Sequence, residues 1–262
     1  YNALLTVFTT CNATRSEHPI ILKEMKKRYV SWDEHTFAAL MAGQSDKAKV
    51  IGLWQLRLDL ISSKSRHFRH RKTAPNKAAI MEVLHACVEL GDGVMAMSVM
   101  ADIGQIADGS MYSLALLALQ QDHINRAEYC RVILDKIFQN DTKVPMRSYK
   151  YAMQIFEKAS DWRNASLFLL QLFRKGVPVD IAVINWALSA CLRAKQWEII
   201  MKLFEQLPRL CTSTKFKPNE LTYSLVVSAA LGLGQVLKAK MLVDSARESF
   251  SSGKSETVPS LK

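Results

Sequence analysis

Between Leu60 and Met81 the chain contains no Asp or Glu and carries Lys64, Arg66, Arg69, Arg71, Lys72 and Lys77, with His67, Phe68 and His70 set among them. Cations on a mobile segment neutralise phosphates and displace their condensed counterions, and an interleaved aromatic ring can stack on a base. RNA contact is therefore the first chemistry this segment suits. Contact with an acidic protein and a solvated loop without a partner are the alternatives. His67 and His70 have a spacing that suggests a metal pair, but no nearby Cys or carboxylate completes a ligand set. The five cysteines stand at 11, 87, 130, 191 and 211, with no tight C-x-x-C spacing among them. Zinc is not expected, and an odd, scattered set suits a reducing compartment better than a disulfide framework. Carboxylates occur singly, and neither a Gly-rich phosphate loop nor a nucleophile motif is present. These residues predict no catalytic site, no metal and no cofactor.

The elements that would carry this basic segment are helical. The chain has 262 residues, 49% of them hydrophobic and 23% charged, with only 10 Gly and 7 Pro. That composition excludes wholesale disorder and argues against a turn-rich sandwich or barrel. The net charge of +11 favours a polyanionic partner. No apolar run of about 18 residues is free of charge, so membrane insertion is not expected. Apolar positions recur with helical spacing almost throughout, and no period-2 stretch bounded by turn residues interrupts them, which makes the class all-α. An apolar helical pattern is already under way at Tyr1, so further chain is expected ahead of it.

The helices repeat in pairs. Residues 147–156 form one apolar helical stretch, 158–163 a polar break, and 164–173 a second stretch; the plan recurs over 182–191, 193–196 and 197–204. Taking the large apolar residue near the start of each first helix as anchor aligns Tyr1, Phe37, Ile80, Met111, Tyr149, Ile184 and Tyr223, at intervals of 36, 43, 31, 38, 35 and 39. A small residue follows 16 positions later in four units, as Ala96, Ala127, Ala165 and Ala239, where the second helix must approach the first closely. Cys87 and Cys191 share a position and are expected to pack in the core, as buried thiols do. One amphipathic hairpin cannot bury its own apolar stripe, so the units must stack into a superhelix, an α-α solenoid of about seven hairpins. The expected organisation is a solenoid over 1–248, a basic insertion at 62–77, and a Ser-rich flexible tail at 249–262.

Thr222-Tyr223-Ser224-Leu225 after Lys217-Pro218-Asn219, Tyr1-Asn2-Ala3-Leu4-Leu5, the run from Met25 to Asp33, and the unit ending Phe173-Arg174-Lys175-Gly176-Val177-Pro178-Val179-Asp180 resemble the pentatricopeptide repeat family. The resemblance extends from Tyr1 to about Glu248 in degenerate form. The Trp, Leu-Gly and Tyr pattern of tetratricopeptide repeats is missing. The resemblance implies an organellar helical-repeat protein whose first helices line a concave RNA-binding face. In that family a base is read by the fifth residue of a first helix together with the last residue of the unit. The anchors put Ala3, Ala39, Glu82, Ser113, Tyr151, Trp186 and Leu225 at the fifth positions, and Glu34, Lys77, Asp108, Met146, Ile181 and Glu220 at the last. None of these pairs matches the family's Asn, Ser or Thr with Asp or Asn, so base-by-base reading is not expected. Tyr151 and Trp186 occupy equivalent positions in successive units, as a stacking platform, a partner contact, or a buried contact between first helices.

The resemblance, the charge and the missing code together predict a noncatalytic mitochondrial protein of a ribonucleoprotein assembly, the mitochondrial ribosome first. It would bind structured RNA such as ribosomal RNA, and neighbouring protein subunits. A factor for the stability, processing or translation of one organellar transcript, and a helical scaffold that binds protein alone, remain open.

Overall fold

The computed structural model describes residues 1–5, 18–30, 32–42, 44–62, 75–122, 124, 127–210 and 217–252. Among them there is no β-strand, and the fold class is all-α, built of consecutive helical hairpins of the solenoid type. The chain divides into two compact units, Tyr1–Ser148 and Tyr149–Lys262.

In the first unit, the described part of α1 (residues 2–5) is followed by α2 (His18–Lys27), α3 (Glu34–Ala42), α4 (Lys47–Ser62), α5 (Lys77–Leu90), α6 (Gly93–Ile103), α7 (Gly109–Gln121) and α8 (Ala127–Gln139). Helix α5 is central, packing on α3, α4, α6 and α7. Its buried stripe of Ala79, Ile80, Val83, Leu84, Ala86 and Cys87 follows the i, i+3, i+4 rhythm of one helical face. In the second unit, α9 (Met146–Ala159, whose first three residues belong to the first unit), α10 (Trp162–Arg174), α11 (Ile181–Arg193), α12 (Trp197–Leu210), α13 (Glu220–Gly232) and α14 (Val236–Ser252) follow the same plan. Here α11 packs on α10, α12 and α13. Helix α14 continues through Ser252, past the boundary expected at 248.

Short polar residues start these helices by taking up N–H groups that have no intrahelical partner, each worth about 1 kcal/mol. Asn76, Asp92, Asp108, Asp161, Asp180 and Asn219 all do so with side-chain oxygens. Close helix approach shows at Gly232 on α13, where a Cβ would come within 2.6 Å of the Trp197 indole. Of the small residues expected at helix contacts, Ala96, Ala165 and Ala239 are buried and Ala127 is half-buried.

Among the described residues, a charge cluster built on the buried Glu34 and Arg57 ties α3, α4 and α6 together. Arg57, whose side chain is 3% exposed, donates through Nε and Nη2 to the two carboxylate oxygens of Glu34 at 2.8 and 3.0 Å, and through Nη1 to Asp102 at 2.9 Å. The guanidinium also lies 4.6 Å from the ring centroid of the fully buried Trp54.

Candidate nucleic-acid interface

Consecutive first helices meet through polar side chains. At the start of α13 the Asn219 Oδ1 accepts the Thr222 N–H at 3.0 Å, while the Thr222 hydroxyl accepts the Asn219 N–H at 3.2 Å, a reciprocal capping box. From the preceding first helix, α11, Asn185 Nδ2 donates to Asn219 Oδ1 at 3.0 Å. The Thr222 Oγ1 lies 2.8 Å from Oδ1 of both Asn185 and Asn219, with one proton to give. The first unit repeats the arrangement. Asn2 Nδ2 donates to both carboxylate oxygens of Asp33 at 3.0 and 3.1 Å, and Thr36 donates to Asn2 Oδ1 at 2.8 Å while its N–H caps onto Asp33. Burial pushes the Asp33 carboxyl up, but the hydrogen bonds from Thr36 and Asn2 outweigh it and hold the group below the usual carboxylate range.

Three other junctions use different chemistry. Ser113 on α7 and Ser148, the last residue of the first unit, share a hydrogen bond of 2.6 Å between hydroxyls. Lys150 on α9 pairs with Asp180, the cap of α11, at 2.6 Å, and that hydrogen bond depresses the Asp180 carboxyl. Lys77 likewise reaches Asp108, the cap of α7, at 2.6 Å. Burial raises the Asp108 carboxyl, yet hydrogen bonds from Lys77, Ser110 and the Met111 N–H bring it down to about 2.

The helix starts shift the register expected from the apolar anchors. Counted from the helix starts, the fifth residues of the first helices are Ala38, Met81, Ser113, Lys150, Asn185 and Ser224, and the unit-ending residues are Pro145 and the caps Asp33, Asn76, Asp108, Asp180 and Asn219. The anchor-based assignment is thus one residue late at every one of these helices except α7, where Asp108 and Ser113 stand as expected. The physical reason is that the large anchor follows the unit-ending residue by four positions elsewhere, whereas in α7 the equivalent anchor is the buried Tyr112 rather than Met111. Glu34 and Ala39 consequently belong to the core, Glu34 as the buried partner of Arg57. Two junctions, Asn2 with Asp33 and Asn185 with Asn219, have the amide–carboxylate or amide–amide character that the sequence alignment missed. The signal was present: Asp33-x-x-Thr36 and Asn219-x-x-Thr222 are capping signatures, and they mark the unit boundary better than an apolar anchor does.

Tyr151 and Trp186 are each half-buried. Of the cations at 62–77, Lys64, Arg66, Arg69, Arg71 and Lys72 lie outside the described residues, and Lys77 opens α5 in its ion pair with Asp108. Among the described residues no group of three His, Cys, Asp or Glu is placed to hold a metal ion, and no helix is long and apolar enough to cross a membrane.

No family model matches the chain. Over 140 residues it is 23% identical to small ribosomal subunit protein mL103 (rPPR7) of Arabidopsis thaliana, an alignment covering 51% of this chain and 34% of that protein. Among solved structures it is 18% identical to pentatricopeptide repeat protein PPR10 from maize, over 87% of this chain and 31% of that one, with a TM-score of 0.49. The structure of PPR10 in complex with an 18-nt psaJ RNA element also aligns, at 18% identity over 100% of this chain and 44% of that one, with a TM-score of 0.38. This chain is similar to pentatricopeptide repeat proteins. It spans about a third of the length of the curated relative it matches.

Proposed function

We propose that the chain is a noncatalytic RNA-binding and scaffold segment of a mitochondrial ribonucleoprotein assembly, the mitochondrial ribosome being the first candidate. The observation that carries this reading is the mixed chemistry of the first-helix junctions. Among the described residues, Asn2–Asp33 and Asn185–Asn219 are the junctions that set an amide beside a capping Asp or Asn. The Lys150–Asp180 junction is closed by an ion pair, and Ala38 and Met81 have no group to hydrogen-bond a base. Such a row can touch RNA at separate points but cannot read a continuous sequence. The net charge of +11 supports a polyanionic partner, and likeness to a ribosomal subunit protein supports the assembly. Lys64, Arg66, Arg69, Arg71 and Lys72 would supply phosphate contacts, and Tyr151 and Trp186 contacts with bases or protein subunits.

The two intact amide junctions favour one second reading, a factor that holds a particular organellar transcript. Immunoprecipitation of the tagged protein from ultraviolet-crosslinked mitochondria separates the two. Crosslinks spread over ribosomal RNA, with ribosomal proteins co-purifying, are expected. Crosslinks concentrated on one messenger would support the second reading, and their absence would leave a protein-binding scaffold. In vitro, replacing Arg66, Arg69, Arg71 and Lys72 together by Ala is expected to lower the log–log salt slope of single-stranded RNA binding by about 3, at roughly 0.7 per lost phosphate contact. An unchanged slope would remove the basic segment from the RNA surface.

A further inference from the structure

Helix α2 ends in a surface that the first-helix junctions do not use. Its inner face buries Ile21 and Met25 in a cluster with Leu5, Ala39 and Leu40. Lys23, Lys26 and Lys27, spaced i, i+3 and i+4, are exposed on another face. Arg28 is held by Glu24 at 2.6 Å, whereas among the described residues no ion pair engages the three lysines. Cations in a last turn complement the helix dipole, which accounts for Lys26 and Lys27 but not for Lys23, a turn earlier, nor for the residue that follows.

That residue is Tyr29. Its backbone lies in the left-handed region, with φ at 55°, fixed there by hydrogen bonds from Tyr29 N–H to Lys26 O and from Val30 N–H to Met25 O. This closing turn favours glycine or a short polar residue, and an aromatic residue there is an outlier. The turns that follow α6, α8 and α10 place Gly104, Asp141 and Gly176 at positive φ, and those that follow α9 and α11 place Ser160 and Lys195 there, so Tyr29 is the aromatic residue of the set. Tyr29 gains no burial in exchange, since 89% of its surface is exposed. A strained conformation that exposes an aromatic ring at the end of a helix carrying three exposed lysines has the composition of a nucleic-acid contact.

We infer that Lys23, Lys26, Lys27 and Tyr29 form an RNA-binding surface separate from the first-helix row, the lysines contacting phosphates and the Tyr29 ring stacking on an unpaired base. Charge complementarity names the occupant class, and the free ring favours single-stranded nucleic acid over an acidic protein. The inference rests on the RNA-binding reading above.

The test uses the full chain and fluorescein-labelled 20-nucleotide poly(U), titrated across a series of salt concentrations. Lys23→Ala, Lys26→Ala and Lys27→Ala together are expected to reduce the log–log salt slope by about 2. Tyr29→Gly is expected to weaken binding about tenfold while leaving the melting temperature unchanged or higher, because glycine relieves the left-handed strain. A merely structural tyrosine would move the two readouts the other way, lowering the melting temperature and sparing affinity. Wild-type slope in the triple variant, or wild-type affinity in Tyr29→Gly, overturns the inference while leaving the RNA-binding reading intact. Absence of poly(U) binding by the unaltered chain removes both. Polyglutamate binding as tight as poly(U), lost in the triple variant, assigns the surface to an acidic protein and also overturns it.

Discussion

Replacing Arg57 by Met tests the buried charge cluster directly. Methionine keeps much of the side-chain length against Trp54 but removes the cation that, among the described residues, pairs with Glu34, whose side chain is 9% exposed. Losing one partner of a buried pair costs about 3–5 kcal/mol, most of it from the charge left behind. Asp102 is 28% exposed and regains water, so the loss belongs at the lower end, about 3 kcal/mol. Adding Glu34→Gln removes the stranded charge and leaves an amide with unmet hydrogen bonds, worth about 1–2 kcal/mol. The double variant should therefore be more stable than Arg57→Met alone, although it carries one more substitution. Urea unfolding followed by circular dichroism measures the difference, and hydrogen exchange of the α3–α6 amides shows whether the loss lies in the first unit. A cost below about 1 kcal/mol for Arg57→Met, or a double variant no better than the single, would refute the account of Glu34 as a buried structural anion.

Ala165→Trp should destabilise the second unit by about 1–3 kcal/mol, because Ala165 is fully buried with Phe168, Leu169 and Leu172 on the inner face of α10; a wild-type urea midpoint would contradict the packing. The Asp108 carboxyl, held at about 2 against an ordinary value near 3.9, favours the folded state above about pH 4 and loses that contribution as pH falls toward 2. Asp108→Asn keeps a good cap, so the thermal midpoint of this variant should fall less between pH 4 and pH 2 than that of the unaltered chain.

The hairpins were legible in the sequence because each helix must bury an apolar stripe, and a 3.6-residue rhythm survives degeneration of the repeat. The register was less legible. Large apolar residues occupy more than one position of the first turn, as Met111 and Tyr112 show, whereas a cap is tied to a single N–H geometry and marks the boundary to one residue. The Arg57–Glu34–Asp102 cluster had no local signal, since its members lie 23 and 45 residues apart and only the packing of three helices brings them together. Tyr29 was readable as part of a unit ending, but its left-handed backbone and free ring were not.

The buried thiols of Cys87 and Cys191 give the two units built-in clocks. Burial pushes the Cys87 thiol up to about 12 and raises Cys191 as well, so neither presents appreciable thiolate at neutral pH while its helix is packed. Alkylation at either position then requires its own unit to open, Cys87 reporting on the first and Cys191 on the second. Peptide mass spectrometry during a slow alkylation would resolve two opening rates in one sample, and so would show whether RNA or a protein partner steadies one half of the chain more than the other.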